Sequence, residues 1–263
     1  MDVLMDARFS RIEMLVGADG FSKLKSSFVV IAGLGGVGSF SLEALARSGI
    51  GKIRVIDCDI VVPSNINRQI IATEPVLGKL KSEVAAQRIR EINPNCKVEA
   101  YNMFIDSTTS FQSIEGNPDA VIDAIDSLNP KIEFLKACQK QKLFVVSSMG
   151  AARRMDPTKV KIGFLTNVNS CPLASKIRKR LRQRELSVDI LCAYSEEPVH
   201  SLKIDENQII EEPTLYKRGR KRNPMGSLPT VVGMFGLLIA HAVIEKILKN
   251  RIETPNTNSL NFS

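Results

Sequence analysis

The chain reads as an α/β protein: a Rossmann-like parallel sheet flanked by helices, with a smaller carboxyl-terminal lobe and an apolar carboxyl-terminal helix. Three observations predict it. An apolar run over residues 29–32 ends in four glycines within six positions and then turns helical. Two further apolar runs, 52–57 and 120–127, carry acids at their carboxyl ends. The stretches between them space their apolar residues like helices. Runs that are apolar on both faces mark parallel strands, because helices cover both sides of such a sheet.

At 263 residues and 44% apolar content the chain can bury a full core. Its organisation is expected to be a nucleotide-binding domain over 8–165, a basic lobe with the last helix over 166–250, and a polar tail over 251–263. Asp2, Asp6, Arg8 and Arg11 interrupt any apolar start, so a cytoplasmic location is expected. The five cysteines form no Cys-x-x-Cys pair, so neither a disulfide framework nor a tetrathiolate zinc site is suggested and buried, reduced thiols are the expectation.

The first element, residues 8–15, has the spacing of a short amphipathic helix closed by Gly17 and Gly20. The glycine run Gly33-Leu34-Gly35-Gly36-Val37-Gly38 then joins the first strand to a helix over 40–47. Residues without a β-carbon allow so tight a turn and let an anion approach the backbone amides at the positive end of the helix dipole. Asp57 ends the second strand nineteen residues after Gly38, the offset at which a carboxylate meets ribose hydroxyls. Nicotinamide, flavin and methyl-donor enzymes share that much of the pattern.

The segment beyond Asp57 narrows the choice. Residues 61–69 form a polar loop holding Asn65 and Arg68, and Lys81 stands near the start of a helix running from 78 to 92, where Asn93-Pro94 ends it. A solvated helix lysine is the plain account of Lys81 alone. Together with Asn65 and Arg68 it is the equipment for a triphosphate, the arginine forked and the lysine compact. The run 120–127 is read as one strand carrying Asp123 and Asp126, which then face opposite ways and do not act on one bond. Asp126, at the carboxyl end, is the expected magnesium ligand, and Asp123 a structural hydrogen bonder. A helix over 131–140 and a strand over 142–147 come next.

The net charge of +8 is concentrated. Six cations lie within 176–184 and five within 217–222, which leaves the rest of the chain slightly acidic. Such clustering predicts a polyanion-binding face made by Lys176, Arg178, Arg182, Lys217, Arg218, Arg220 and Arg222, with Ile177 and Leu181 seating the first cluster as a helix. A solvated helix face and a disordered loop are the plainer alternatives. From 226 to 244 no charged residue occurs, a length close to a membrane span. A buried or dimer-interface helix is preferred over a membrane anchor through 226–249, because Pro229, Thr230, His241 and glycines dilute the run.

Taken in order, Arg8-Phe9-Ser10-Arg11, the glycine run, Asp57-x-Asp59, Asn65-x-Asn67-Arg68-Gln69, Lys81 and Asp123-x-x-Asp126-Ser127 resemble the ThiF/MoeB/HesA superfamily, relatives of the ubiquitin-activating enzymes. The resemblance is strong over 8–150 and looser beyond. It implies carboxylate adenylation with ATP and Mg2+: Gly33, Gly35, Gly36 and Gly38 around the phosphates, Asp57 on the ribose, and Asn65, Arg68 and Lys81 about the triphosphate. Asp126 would hold the metal, and Arg11 would reach the neighbouring site of a homodimer.

Members that serve sulfur-carrier proteins usually bind zinc through two Cys-x-x-Cys pairs, which are missing. The segments 172–181 and 188–197 resemble instead the branch of tRNA threonylcarbamoyladenosine dehydratases, whereas residues 147–150 depart from its more glycine-rich turn. That branch implies tRNA as partner, with sulfur-relay proteins as further partners, and an ATP-dependent cyclisation with net loss of water through an acyl adenylate. The alternatives are an adenylyltransferase for a ubiquitin-like sulfur carrier, and a dinucleotide-binding oxidoreductase or non-catalytic nucleotide sensor. No catalytic cysteine is required, and two histidines in all, His200 and His241, make no cluster.

Overall fold

The structure, a computed structural model, describes residues 7–200 and 225–249. The cations at 217–222 and the tail at 251–263 lie outside them.

The chain enters through α1 (Ser10–Ser26). This helix is longer than the sequence predicts: Gly17, with φ +74°, breaks it without ending it, and Gly20 is buried against Leu248. β1 (Phe28–Ala32) feeds α2 (Gly36–Arg47), which starts inside the glycine run rather than at residue 40. β2 (Lys52–Ile56), α3 (Lys81–Ile92) and β3 (Lys97–Tyr101) come next. After the short α4 (Ser110–Ser113) come β4 (Ala120–Asp123), α5 (Leu128–Lys140) and β5 (Val145–Ser148). The chain closes with β6 (Val160–Phe164), α6 (Pro172–Arg182), β7 (Leu191–Ser195) and α7 (Pro229–Lys249).

All seven strands form one sheet in the order β3-β2-β1-β4-β5-β7-β6. Every pairing is parallel except β6 with β7. Ala32 pairs with Ile56 on one side and Asp123 on the other, so β1, β2 and β4 stop level with one another and the loops after them meet at one edge. That edge, at the carboxyl ends of the central strands, is where open parallel sheets bind ligands.

Alternation along β1 divides the core. Val29 and Ile31 join α2, α3 and α7 on one face, while Phe28, Val30 and Ala32 join α5 and α6 on the other. α7 is the main cover of the first face. Val231, Phe235, Ile239, Ala240 and Val243 on it are fully buried, and a β-carbon on Gly236 would stand 2.5 Å from the Val37 carbonyl oxygen. Ser41 Oγ, on α2, donates to the Gly236 carbonyl at 2.9 Å. The helix is long and apolar enough to cross a membrane, and half of its apolar window is buried within the fold.

Candidate active site

Three loops converge at the carboxyl edge of the sheet. The first is the glycine run, in which each glycine has a different reason to lack a side chain. Gly33 has φ +89°, donates its N–H to the Ile56 carbonyl at 2.9 Å, and lies so near β4 that a β-carbon would be 2.6 Å from the Ala124 oxygen. Gly38 lets α2 settle on Gly33, and Gly36 fits against Val232 and the Arg68 carbonyl. Gly35 differs: its β-carbon would meet nothing within 4 Å. It caps α2 with no side-chain hydrogen bond, which leaves the first amides of that helix without a side-chain cap.

The second loop leaves β2. Asp57 Oδ2 accepts the Leu34 N–H at 2.7 Å and Oδ1 accepts the Asp59 N–H at 2.9 Å, which ties this acid to the glycine run. Burial pushes the Asp57 carboxyl above its usual range, with Asp59 adding to the rise and Lys81 and the two amides opposing it. The Lys81 N–H donates to the Asp59 carbonyl at 3.0 Å, and its Nζ lies 3.3 Å from Asp59 Oδ2. Lys81 is therefore no solvated helix lysine: its side chain is 7% exposed. Between Asp57 and Asp59, burial and both carboxylates push the Cys58 thiol up to about 12.

Residues 60–80 double back, with Ile60 bridged to Leu80, which brings Asn65 and Arg68 towards the same edge. Asn65 is buried and its Oδ1 accepts the Val62 N–H at 3.2 Å, closing a helical turn over Pro63–Asn65. Arg68 Nη1 donates to the Ser64 carbonyl at 2.6 Å and to Asn67 Oδ1 at 2.9 Å. Its own carbonyl packs on Gly36, so the two loops are in contact.

The third loop leaves β4. The strand ends at Asp123, so Asp126 lies in the turn before α5 and is exposed; opposite faces of one strand do not separate the two acids, the end of the strand does. Asp123 is fully buried and has the structural role expected of it. It lies 2.8 Å from Lys131 Nζ, also fully buried, and accepts the Ser147 hydroxyl at 2.7 Å. Lys131 Nζ further donates to the Ile125 carbonyl at 2.9 Å, fixing the turn that carries Asp126. The sequence alone does not point to Lys131, since nothing in a lysine among helical apolar residues marks it as buried.

Arg11 is not brought to this edge within one chain. It lies on α1 near Phe9, which packs by Phe21 and Gly49 beyond the far end of α2, about 18 Å of helix from the glycine run. A cavity of about 340 Å³ between Arg8, Arg47 and Arg88 is at that far end too. Of the basic cluster on α6, Lys176 and Arg182 are exposed along with Lys179 and Arg180. Ile177 and Leu181 are buried as expected, but Arg178 turns inward, donating to the carbonyls of Leu165 at 2.9 Å and Val168 at 2.6 Å. Lys217, Arg218, Arg220 and Arg222 lie outside the described residues.

The model of the ThiF family matches residues 9–263. The chain belongs to the ThiF family. Among its curated relatives, the tRNA threonylcarbamoyladenosine dehydratase of Bacillus subtilis is 36% identical over 92% of this chain and 95% of its own. The Escherichia coli protein of the same name is 34% identical over 94% and 96%. A crystal structure of the Escherichia coli tRNA N6-threonylcarbamoyladenosine dehydratase in complex with AMP superposes on this ThiF-family chain with a TM-score of 0.83 at 31% identity, covering 95% of this chain and 98% of that one. A second structure of that enzyme, in complex with ATP, gives 0.81. The ThiF family and its α/β fold are those that the linked motifs implied.

Proposed function

We propose that the chain is an ATP-dependent enzyme that cyclises threonylcarbamoyladenosine in tRNA, with net loss of water, through an acyl adenylate. The observation that carries this reading is the near full-length likeness, in sequence and in fold, to dehydratases of that name, one of them solved with AMP. The open space at Gly35, the Asp57 carboxylate tied to the adjoining Leu34 amide and Lys81 held near Asp59 give that likeness a chemical basis.

A carboxylate is a poor electrophile, because its charge is delocalised and an expelled oxide is a poor leaving group. In the first step a carboxylate oxygen of the threonyl group attacks the α-phosphorus of ATP and pyrophosphate leaves. An atom of the neighbouring carbamoyl group then attacks the activated carbonyl and AMP leaves, taking the carboxylate oxygen with it. Held in one pocket, such an intramolecular attack reaches effective molarities of about 10⁵ M or more. The protein supplies position and charge: the α2 amino terminus, Asn65, Arg68 and Lys81 at the phosphates and Asp57 at the ribose. Arg11 of a second copy completes the set in a homodimer.

Mg2+ fits Asp126, an exposed carboxylate beside the glycine run and a hard oxygen donor. The cluster Asp57, Cys58 and Asp59 is a second group of donors, its carboxylates tied to the amides of Leu34 and Asp59 and to Lys81. When bound, the ion neutralises charge on the transferring phosphates.

The exposed cations of α6 favour an RNA substrate over a protein one, and a cytoplasmic location goes with it. Exposed Met14 and Leu15 on α1 and Leu237 on α7 suit the interface of a homodimer. Sulfur-relay partners rest on family resemblance. The test is to incubate the purified chain with tRNA bearing threonylcarbamoyladenosine, ATP and Mg2+, and to weigh the nucleoside. Loss of one water with release of AMP supports the reading. An unaltered nucleoside from a protein that binds ATP overturns the substrate, and pyrophosphate exchange that depends on a sulfur-carrier protein replaces it.

A further inference from the structure

We propose that Cys171 is a reactive thiol, a modification site for hydroperoxides, with Arg154 as its buried counter-charge. Two independent observations meet at this sulfur. The first is its setting at the amino terminus of α6, where Sγ accepts the N–H of Ala174 at 3.4 Å and the N–H of Gly150, from the loop after β5, at 3.4 Å. Amides at a helix start favour a sulfur anion over a neutral thiol.

The second is Arg154. Its side chain is 1% exposed, its Nη2 donates to the Ser170 carbonyl at 2.6 Å, and its Nε and Nη1 have no hydrogen-bond partner. A guanidinium keeps its charge, so burying it calls for an anion close by. The ionisable groups acting on it are Cys171 first and Glu197 second. Glu197 is already engaged, accepting the N–H groups of Met155 and Asp156 and lying 2.6 Å from His200 Nε2. Cys192, on β7, is the other titratable group facing Cys171. The sulfur of Cys171 thus faces Arg154 together with the Glu197 carboxylate, and of the two it is the one able to act as a nucleophile.

Cys171 is 3% exposed, and its approach is from the pocket it helps to line. Cys171 lines an open pocket of about 300 Å³ together with Asn169, Ser170, Ser175 and Val199, large enough for a small peroxide. Burial pushes Cys96 to about 11 and Cys58 and Cys192 to about 12, and raises Cys138 as well, which disfavours their thiolates. In the reaction the anionic sulfur attacks one peroxide oxygen, the O–O bond breaks, and the departing oxygen takes a proton. Sulfur is oxidised by two electrons to the sulfenic acid, and the hydroperoxide is reduced to an alcohol, or to water from hydrogen peroxide. The inference rests on this corner alone and stands apart from the reading of the adenylation site.

The experiment treats the full chain at neutral pH with stoichiometric hydrogen peroxide in the presence of dimedone, then maps the label by peptide mass spectrometry. Cys171 is expected to carry the label at least about tenfold above Cys96, Cys138 or Cys192, and Arg154→Met to lower it by about tenfold while Arg154→Lys retains most of it. Labelling of Cys171 at the level of Cys138 overturns the proposal. So does undiminished labelling in a folded Arg154→Met protein. Should that variant not fold, the wild-type map and Arg154→Lys decide: loss of the label in the lysine variant, whose charge is kept, counts against the role given to Arg154.

Discussion

A β-carbon on Gly38 would stand 1.8 Å from the carbonyl oxygen of Gly33, whereas one on Gly35 would touch nothing within 4 Å. Four glycines that look alike in the sequence therefore separate into those that let the fold close and one that leaves room for a guest. Gly38→Ala is expected to be severely destabilising, by several kcal/mol or about as much as an overpacked core site, and to show as lost soluble protein or a lowered Tm. Gly35→Ala is expected to keep the wild-type Tm and to weaken ATP binding by about tenfold or more, read by calorimetry.

Lys81→Ala removes a cation that the fold keeps close to Asp59, an acid 52% exposed. Water can solvate that acid, so stability should change by less than about 1 kcal/mol. ATP-pyrophosphate exchange should fall by about 10²-fold or more, since charge neutralisation at the phosphates is lost. Wild-type exchange in this variant would remove Lys81 from the machinery.

Lys131 and Asp123 form an ion pair with no exposure on either side. Lys131→Met strands a buried carboxylate and is expected to destabilise by about 3–5 kcal/mol in urea unfolding. Lys131→Met with Asp123→Leu should recover much of that loss. The double variant should still have a raised KM for ATP, because the turn before Asp126 has lost the donor to the Ile125 carbonyl.

Glu43 on α2 binds Arg47 and Arg88, joining α2 to α3. Burial raises its carboxyl, but the hydrogen bonds from Arg88 and Arg47 outweigh it, and the net direction is below the ordinary 4.5. A carboxyl lowered in the folded state adds stability above its unfolded value, and that stability fades as pH falls through the folded one. Glu43→Gln should thus be less stable than wild type at neutral pH by about 1–2 kcal/mol, both arginines being partly solvated. The difference should close as pH falls below the ordinary carboxylate range.

On α6 the cations differ in what they do. Lys176→Glu with Arg182→Glu, both exposed, should weaken tRNA binding and flatten its salt dependence by about two units of slope. Arg178→Ala should lower the Tm instead, because it frees the carbonyls of Leu165 and Val168. A filter-binding titration across salt concentrations and a melting curve separate the two effects.

These contrasts also show how much was legible in the sequence. β1, β2 and the end of α3 stand out because central strands are apolar on both faces and because Asn93-Pro94 stops the helix, although α3 begins at Lys81 and not at the expected 78. β3 does not: at the sheet edge, Lys97, Glu99 and Tyr101 keep contact with solvent, and the run reads as a polar connection. β6, also at an edge, hides its alternation behind Lys161 and Gly163. Arg178 lies four residues after Ala174 and three before Leu181, the same helix face as the buried residues. Its spacing carried the signal that charge alone obscured. For Lys131 and Arg154 no helical spacing gives the signal, since their polar partners lie in the strand end and turn before the helix for Lys131 and 16 residues onward for Arg154.

The position of α7 has a consequence for synthesis. The groove on α2 that receives Gly236 is made early, and its cover is the last helix described. While the polypeptide leaves the ribosome, that apolar surface stays wet until the final turn has cleared the exit tunnel, and β6 likewise waits for β7 before it can join its neighbours. The nascent chain thus cannot finish its fold from the front. Its yield in the cell will depend on how well that open face is shielded during those seconds.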